Sequence, residues 1–169
     1  MDTEGGYTVK LLGSGFGRES TDVSRVEIGG RLCSDHEVLS PTEIHCVAPA
    51  HTGRFQRVVV TSKLGVNATG DSIFGYTPPD IVRIAPSYAL TGPRAYSFNV
   101  VGSNFGLARL ETAPAVSIGG RDCTKVIHVN QSMIVCEDMD GSAGWTSDIV
   151  TVNVGGQVTD VLDLFVGHG

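Results

Sequence analysis

Charge is scarce in this sequence, and positive charge is scarcer still. Only 18% of its 169 residues are charged, 12 Lys and Arg stand against 18 Asp and Glu, and the formal net charge is −6. The deficit is shared: residues 1–79 hold 7 basic against 9 acidic residues, and residues 80–169 hold 5 against 9. Neither half contains a run of basic residues. Affinity for nucleic acid comes largely from neutralised phosphates, so nucleic acid is not expected as a partner. Docking on anionic lipid fails on the same sign. Long apolar runs are missing too. None approaches the roughly 20 residues of a membrane helix, so no direct membrane insertion is expected of these residues. Met1-Asp2-Thr3-Glu4 has neither the basic nor the apolar region of a signal peptide. No segment sustains a helical period.

What is present is glycine and repetition. The composition is 41% apolar with 22 glycines, which is globular material and not a disordered tail. GSGFG at residues 13–17 and EIGGRLC at 27–33 return as GSNFG at 102–106 and SIGGRDC at 117–123. Tyr7, Gly13 and Phe16-Gly17 match Tyr96, Gly102 and Phe105-Gly106 at an offset of 89. Ile28-Gly29-Gly30-Arg31, Cys33 and Cys46 match Ile118-Gly119-Gly120-Arg121, Cys123 and Cys136 at 90. Val58 and Val60 match Val150 and Val152 at 92, and Phe74 matches Phe165 at 91. Such small drifts are what one-residue loop changes produce, so the chain reads as two copies of one domain.

Each copy reads as β throughout. Alternating apolar runs such as Tyr7 to Leu11, Arg57 to Thr61 and Ile149 to Val154 lie between clusters of Gly, Asn, Asp, Ser and Pro. Several short strands with frequent turns in about ninety residues predict a β-sandwich. The boundary falls at Thr77-Pro78-Pro79-Asp80, giving domains 1–77 and 78–169. Two prolines there predict a short, stiff joint.

The second copy runs Pro79-Asp80-Ile81-Val82-Arg83-Ile84-Ala85-Pro86, then Gly92, then Val101 to Gly106, then Val116 to Cys123, then Ile134-Val135-Cys136. The first runs Gly13 to Gly17, Val26 to Gly30, Cys33, Thr42 to Cys46 and Phe74-Gly75-Tyr76. In order and spacing this resembles the IPT/TIG domain of plexins, growth-factor receptors, fibrocystin-like surface proteins and Rel-type transcription factors. The resemblance implies an all-β fold of two tandem immunoglobulin-like (E-set) sandwiches. Two departures stand out. Val47-Ala48-Pro49 in the first copy becomes Glu137-Asp138-Met139 in the second, predicting a reshaped turn. Only six residues precede Tyr7, too few for an opening strand like Pro79 to Pro86. That strand is expected to be missing from the first domain, as in a fragment of a larger protein.

The glycine stretches fail as a phosphate cradle, because no apolar helix follows Gly17. They read instead as turns that let Phe16 and Phe105 fold inward, with Gly29-Gly30 and Gly119-Gly120 as hairpin turns. Cys33 and Cys46, like Cys123 and Cys136, stand 13 apart. Period-2 alternation puts Cys46 and Cys136 on the inward faces of Ile44 and Ile134. Bridges Cys33–Cys46 and Cys123–Cys136 are expected in an oxidising compartment, the alternative being buried free thiols. Zinc on Cys33, His36, His45 and Cys46 is disfavoured because the histidines become Val126 and Val135 in the second copy. Asn67-Ala68-Thr69 and Asn130-Gln131-Ser132 are glycosylation sequons.

No catalytic constellation is visible around His45, His51 or His128. Glu137, Asp138, Asp140 and Asp148 form an acidic loop that reads as solvated or as a calcium site. Trp145, the single tryptophan, is a candidate partner contact because tryptophan is enriched at binding hot spots. No cofactor and no catalytic residue are expected. The expected role is a non-enzymatic extracellular or cell-surface spacer and interaction module. Its partners would be other domains of the same chain, other proteins or glycans. Two other settings fit the resemblance: an intracellular Rel-like domain aiding DNA binding or dimerisation, and an accessory domain of a secreted polysaccharide enzyme.

Overall fold

Between Ile28 and Arg31 the chain reverses in two residues, and both have to turn the left-handed way. Gly29 and Gly30 sit at φ of 60° and 77°, and Gly119 and Gly120 at 61° and 79°. Successive positive φ values define the tight hairpin turn that follows the natural twist of paired strands, and glycine enters it without a Cβ penalty. From such turns the computed structural model builds short antiparallel strands. It describes residues 1–109, 112–162 and 165–167. Among them there is no α-helix, and the chain divides into two compact units, Met1–Tyr76 and Thr77–Gly169.

In the first unit the strands are β1 (Thr8–Leu12), β2 (Val23–Ile28), β3 (Arg31–Leu32), β4 (Ser34–Ser40), β5 (Glu43–Val47), β6 (Gln56–Ser62) and β7 (Asn67–Phe74). They form two sheets, β1-β5-β4 and β3-β2-β6-β7. Alternation decides which side chains meet between the sheets. Val9, Leu11, Ile44 and Cys46 from one sheet and Val26, Ile28, Val58 and Val60 from the other are buried in a single cluster. That is a two-layer sandwich.

The second unit repeats the plan with additions. Its strands are β8 (Asp80–Ala85), β9 (Tyr88–Leu90), β10 (Ala95–Ser103), β11 (Ala115–Ile118), β12 (Arg121–Asp122), β13 (Lys125–Asn130), β14 (Met133–Asp140), β15 (Ile149–Val154), β16 (Gln157–Leu162) and β17 (Phe165–Gly167). The sheets run β8-β10-β14-β13 and β12-β11-β15-β16. β9 and β17 pair parallel, an addition without a counterpart in the first unit. Phe98, Val100, Ile134 and Cys136 pack on Val116, Ile118, Val150 and Val152. The tandem immunoglobulin-like architecture expected from the sequence is therefore present.

Two differences between the units bear on function. β14 runs on to Asp140 where β5 stops at Val47, passing a bend at Asp138 with φ of 57° and burying Met139. And β8 flanks β10, whereas among the described residues β1, the counterpart of β10, pairs only with β5.

Candidate functional site

The repeated glycine stretch works inside the sandwich. The N–H groups of Gly13 and Phe16 donate to the carbonyls of Thr42 and Pro41 at 3.0 Å, and those of Gly102 and Phe105 donate to Ser132 and Gln131 at 2.9 Å. Each stretch clasps the tip of the neighbouring hairpin, and both phenylalanines are buried. These donors are used internally, so they do not face an anion.

All four cysteines are bonded, Cys33 to Cys46 and Cys123 to Cys136. The Cα atoms lie 5.8 and 5.9 Å apart, within the usual span of a disulfide. Each bridge ties the point where the chain crosses between sheets to the centre of a core strand. The histidines once grouped with Cys33 and Cys46 are engaged elsewhere. His36 contacts the Val23 carbonyl at 3.1 Å and His45 the Glu43 carboxylate at 2.9 Å. Among the described residues no three His, Cys, Asp or Glu side chains converge as a metal site.

Both sequon asparagines are exposed, but their settings differ. Asn67 opens β7, where its Oδ1 accepts the Thr61 hydroxyl at 2.8 Å. Asn130 sits at the β13–β14 turn, where its Oδ1 accepts the Ser132 N–H at 2.8 Å and the Ser132 hydroxyl at 2.9 Å.

In the acidic loop Glu137, Asp138 and Asp140 have partners within the unit, and Asp148 is exposed. Lys125 reaches Glu137 at 2.7 Å and Asp138 at 3.0 Å, and these two anions raise its pKa. Asp140 accepts both the hydroxyl and the N–H of Ser142, which lower its pKa. Trp145 is 6% exposed, so its bulk goes into its own unit and not onto a partner. Its rings meet Tyr96 and Phe98 edge-on at 5.7 and 5.8 Å, and Nε1 donates to the Leu90 carbonyl at 3.2 Å. Arg121 lies over its face at 5.6 Å.

A groove of about 470 Å³ lies in the first unit, between β1 and β7. Leu11, Phe16, Val58, Val60, Ile73 and Phe74 supply its apolar wall. Its rim carries Lys10, whose ammonium bonds Glu43 at 2.9 Å and lowers that carboxyl's pKa. Along the rim β1 offers free backbone. The Tyr7 carbonyl accepts from Ala48, and the Gly13 N–H donates to Thr42. Odd residues therefore face β5, and by alternation Thr8, Lys10 and Leu12 turn their N–H and C=O groups outward.

A domain model described as IPT/TIG domain matches residues 1–77 and again residues 79–164. The chain belongs to the IPT/TIG family. No curated protein matches it. Among solved structures, a surface glycan-binding protein from Prevotella bryantii is 10% identical with a TM-score of 0.57, over 92% of this chain and 36% of that one. A surface glycan-binding protein of a xyloglucan utilization locus in Bacteroides uniformis is 16% identical with a TM-score of 0.41, over 98% and 47%. The extracellular region of plexin A4 is 19% identical with a TM-score of 0.35, over 96% and 14%. The chain spans less than half of each of these structures, and at such identities the likeness concerns the IPT/TIG fold alone.

Sequence reasoning passed over two features of the first IPT/TIG unit. One is the groove, whose walls come from strands far apart in sequence. The other is Phe55, 69% exposed with Arg54 over its ring at 5.4 Å. It occupies the loop where the second unit turns Trp145 inward.

Proposed function

We propose that these residues form two non-enzymatic extracellular modules, dividing at residues 77–78, that act as spacer and interaction elements in a larger cell-surface or surface-coat glycoprotein. The observation that carries this reading is the duplicated disulfide. Both units place the same bridge at the same crossing between sheets, and structural disulfides persist in oxidising compartments. The exposed sequons at Asn67 and Asn130 support the same route.

Charge supports partners other than nucleic acid. Lys10, Arg57, Lys63 and Lys125 each pair with a carboxylate, so the basic side chains are dispersed and partly neutralised where phosphate binding needs a positive stripe. Other domains, proteins or glycans remain as partners, and a surface glycan-binding protein shares the fold.

Material secreted from a eukaryotic host and mapped by non-reducing mass spectrometry tests the proposal. Two intramolecular bridges and glycan on Asn130 are the expected result. Four free thiols with both asparagines bare would overturn it.

A further inference from the structure

The sheets that hold β14 and β5 share one register and carry different chemistry on their outer faces. In the second unit Ile127 stands opposite Val135 and Asn130 opposite Met133, the register slipping between His128 and Asn130. In the first, Glu37 stands opposite His45 and Ser40 opposite Glu43, with the same slip between Val38 and Ser40. On the next strand Asn99 and Val101 meet Val135 and Met133, as Lys10 and Leu12 meet His45 and Glu43. Directly opposed residues share a face. Alternation sends Ile134 and Cys136 to the core and turns Met133 and Val135 away from it.

The first unit's outer face is charged, with Glu43 bonded to the Lys10 ammonium and to His45, each at 2.9 Å. At the offset of 90, Glu37, Glu43 and His45 become Ile127, Met133 and Val135. The second unit thus presents an apolar strip where the first presents ions. Ile127 and Val129 are 42% and 41% exposed, and Met133, Val135 and Val101 are half-buried. The Lys125–Glu137 ion pair closes one end of the strip. Asn130 closes the other, and its place opposite Met133 roots it on the same face. Ser132 holds its Oδ1, which leaves Nδ2, the atom that bears a sugar, without a partner among the described residues.

We propose that this outer face is the seat of an N-linked glycan carried by Asn130. Transfer from a lipid diphosphate donor forms the bond between sugar C1 and Nδ2, expels the lipid diphosphate and releases one Nδ2 proton. The first sugars then lie over Met133, Val135 and Ile127, with the C–H faces of their rings on the side chains and their hydroxyls in water. Apolar area leaves water on both partners. A sugar rooted at the edge of the strip also stands in the way of any protein docking flat on it, which favours glycan over a protein cover. The proposal rests on the secretory reading and gives this sequon a structural task.

The full chain secreted from a eukaryotic host is tested as wild type and as Ser132→Ala, which keeps Asn130 and ends the sequon. Both are treated with dilute hydrogen peroxide, and sulfoxide at each methionine is followed by peptide mass spectrometry. Thioether oxidation follows exposure, so Met133 should oxidise roughly threefold or more slowly under the glycan. Met139, which is buried, should react alike in both. Ser132→Thr restores the sequon and should restore the protection, and Ile127→Glu should lose much of it with the glycan in place. Circular dichroism melts check that each variant folds. Glycan on Asn130 with Met133 oxidising at one rate in wild type and Ser132→Ala overturns the proposal and leaves the secretory reading standing. So does protection in Ser132→Ala that grows with protein concentration, which would make the face an interface between copies of this chain. A bare Asn130 in wild type overturns it too, and the cysteine map of the same sample shows whether the secretory reading falls with it.

Discussion

At the scale of single residues, Trp145 and Asp22 carry the sharpest consequences. Trp145 fills the second core between Tyr96 and Phe98 and spends its N–H on Leu90. Trp145→Ala should destabilise that unit by about 3–5 kcal/mol through the cavity it leaves. Trp145→Phe keeps most of the apolar contact and should cost less, the lost hydrogen bond contributing about 1 kcal/mol. Urea titrations followed by circular dichroism would measure both. Asp22 is held by the Lys63 ammonium, then by the N–H groups of Arg18 and Glu19, and its pKa falls to about 2. An unfolded aspartate titrates near ~3.9. The folded value is the lower one, so the stabilisation is complete above the unfolded pKa and disappears as pH falls through the folded one. The stability gap between wild type and Asp22→Asn, measured by urea unfolding, should therefore be constant from pH 7 to 5 and shrink between pH 4 and 2. A gap that persists at pH 2 would refute the assignment.

At the scale of elements, each disulfide closes a sequence separation of 13, worth about 3 kcal/mol in the chain-entropy picture. Cys123→Ala with Cys136→Ala should lower the unfolding free energy of the second unit by that amount, measured by urea titration followed by Trp145 fluorescence, with the same strands retained. The elements themselves were legible because their signals are local. Ile149 to Val154 alternates in sequence and alternates in burial, and Gly-Gly between Ile28 and Arg31 can only be a turn of one hand. What escaped was set by distant neighbours. Tyr88-Ala89-Leu90 is too short to announce itself, and it becomes strand β9 only because β17 comes alongside. Trp145 has the composition of a contact residue, but its fate depends on Tyr96 and Phe98, more than forty residues away in sequence. The continuation of β14 through Asp138 depends likewise on the place that β10 offers opposite Met139.

At the scale of the whole chain, duplication lets the two units be compared strand by strand. Both units have their own core clusters, but the first has one sheet of three strands where the second has four. An uncovered edge leaves backbone groups to water and apolar side chains partly wet, and both weaken a sandwich. The lone tryptophan lies in the second unit, so its fluorescence reports that unit, while circular dichroism reports strands from both. Heating should therefore give two circular dichroism transitions, the lower one silent in fluorescence. A single transition shared by both probes would mean that the open edge carries no stability penalty.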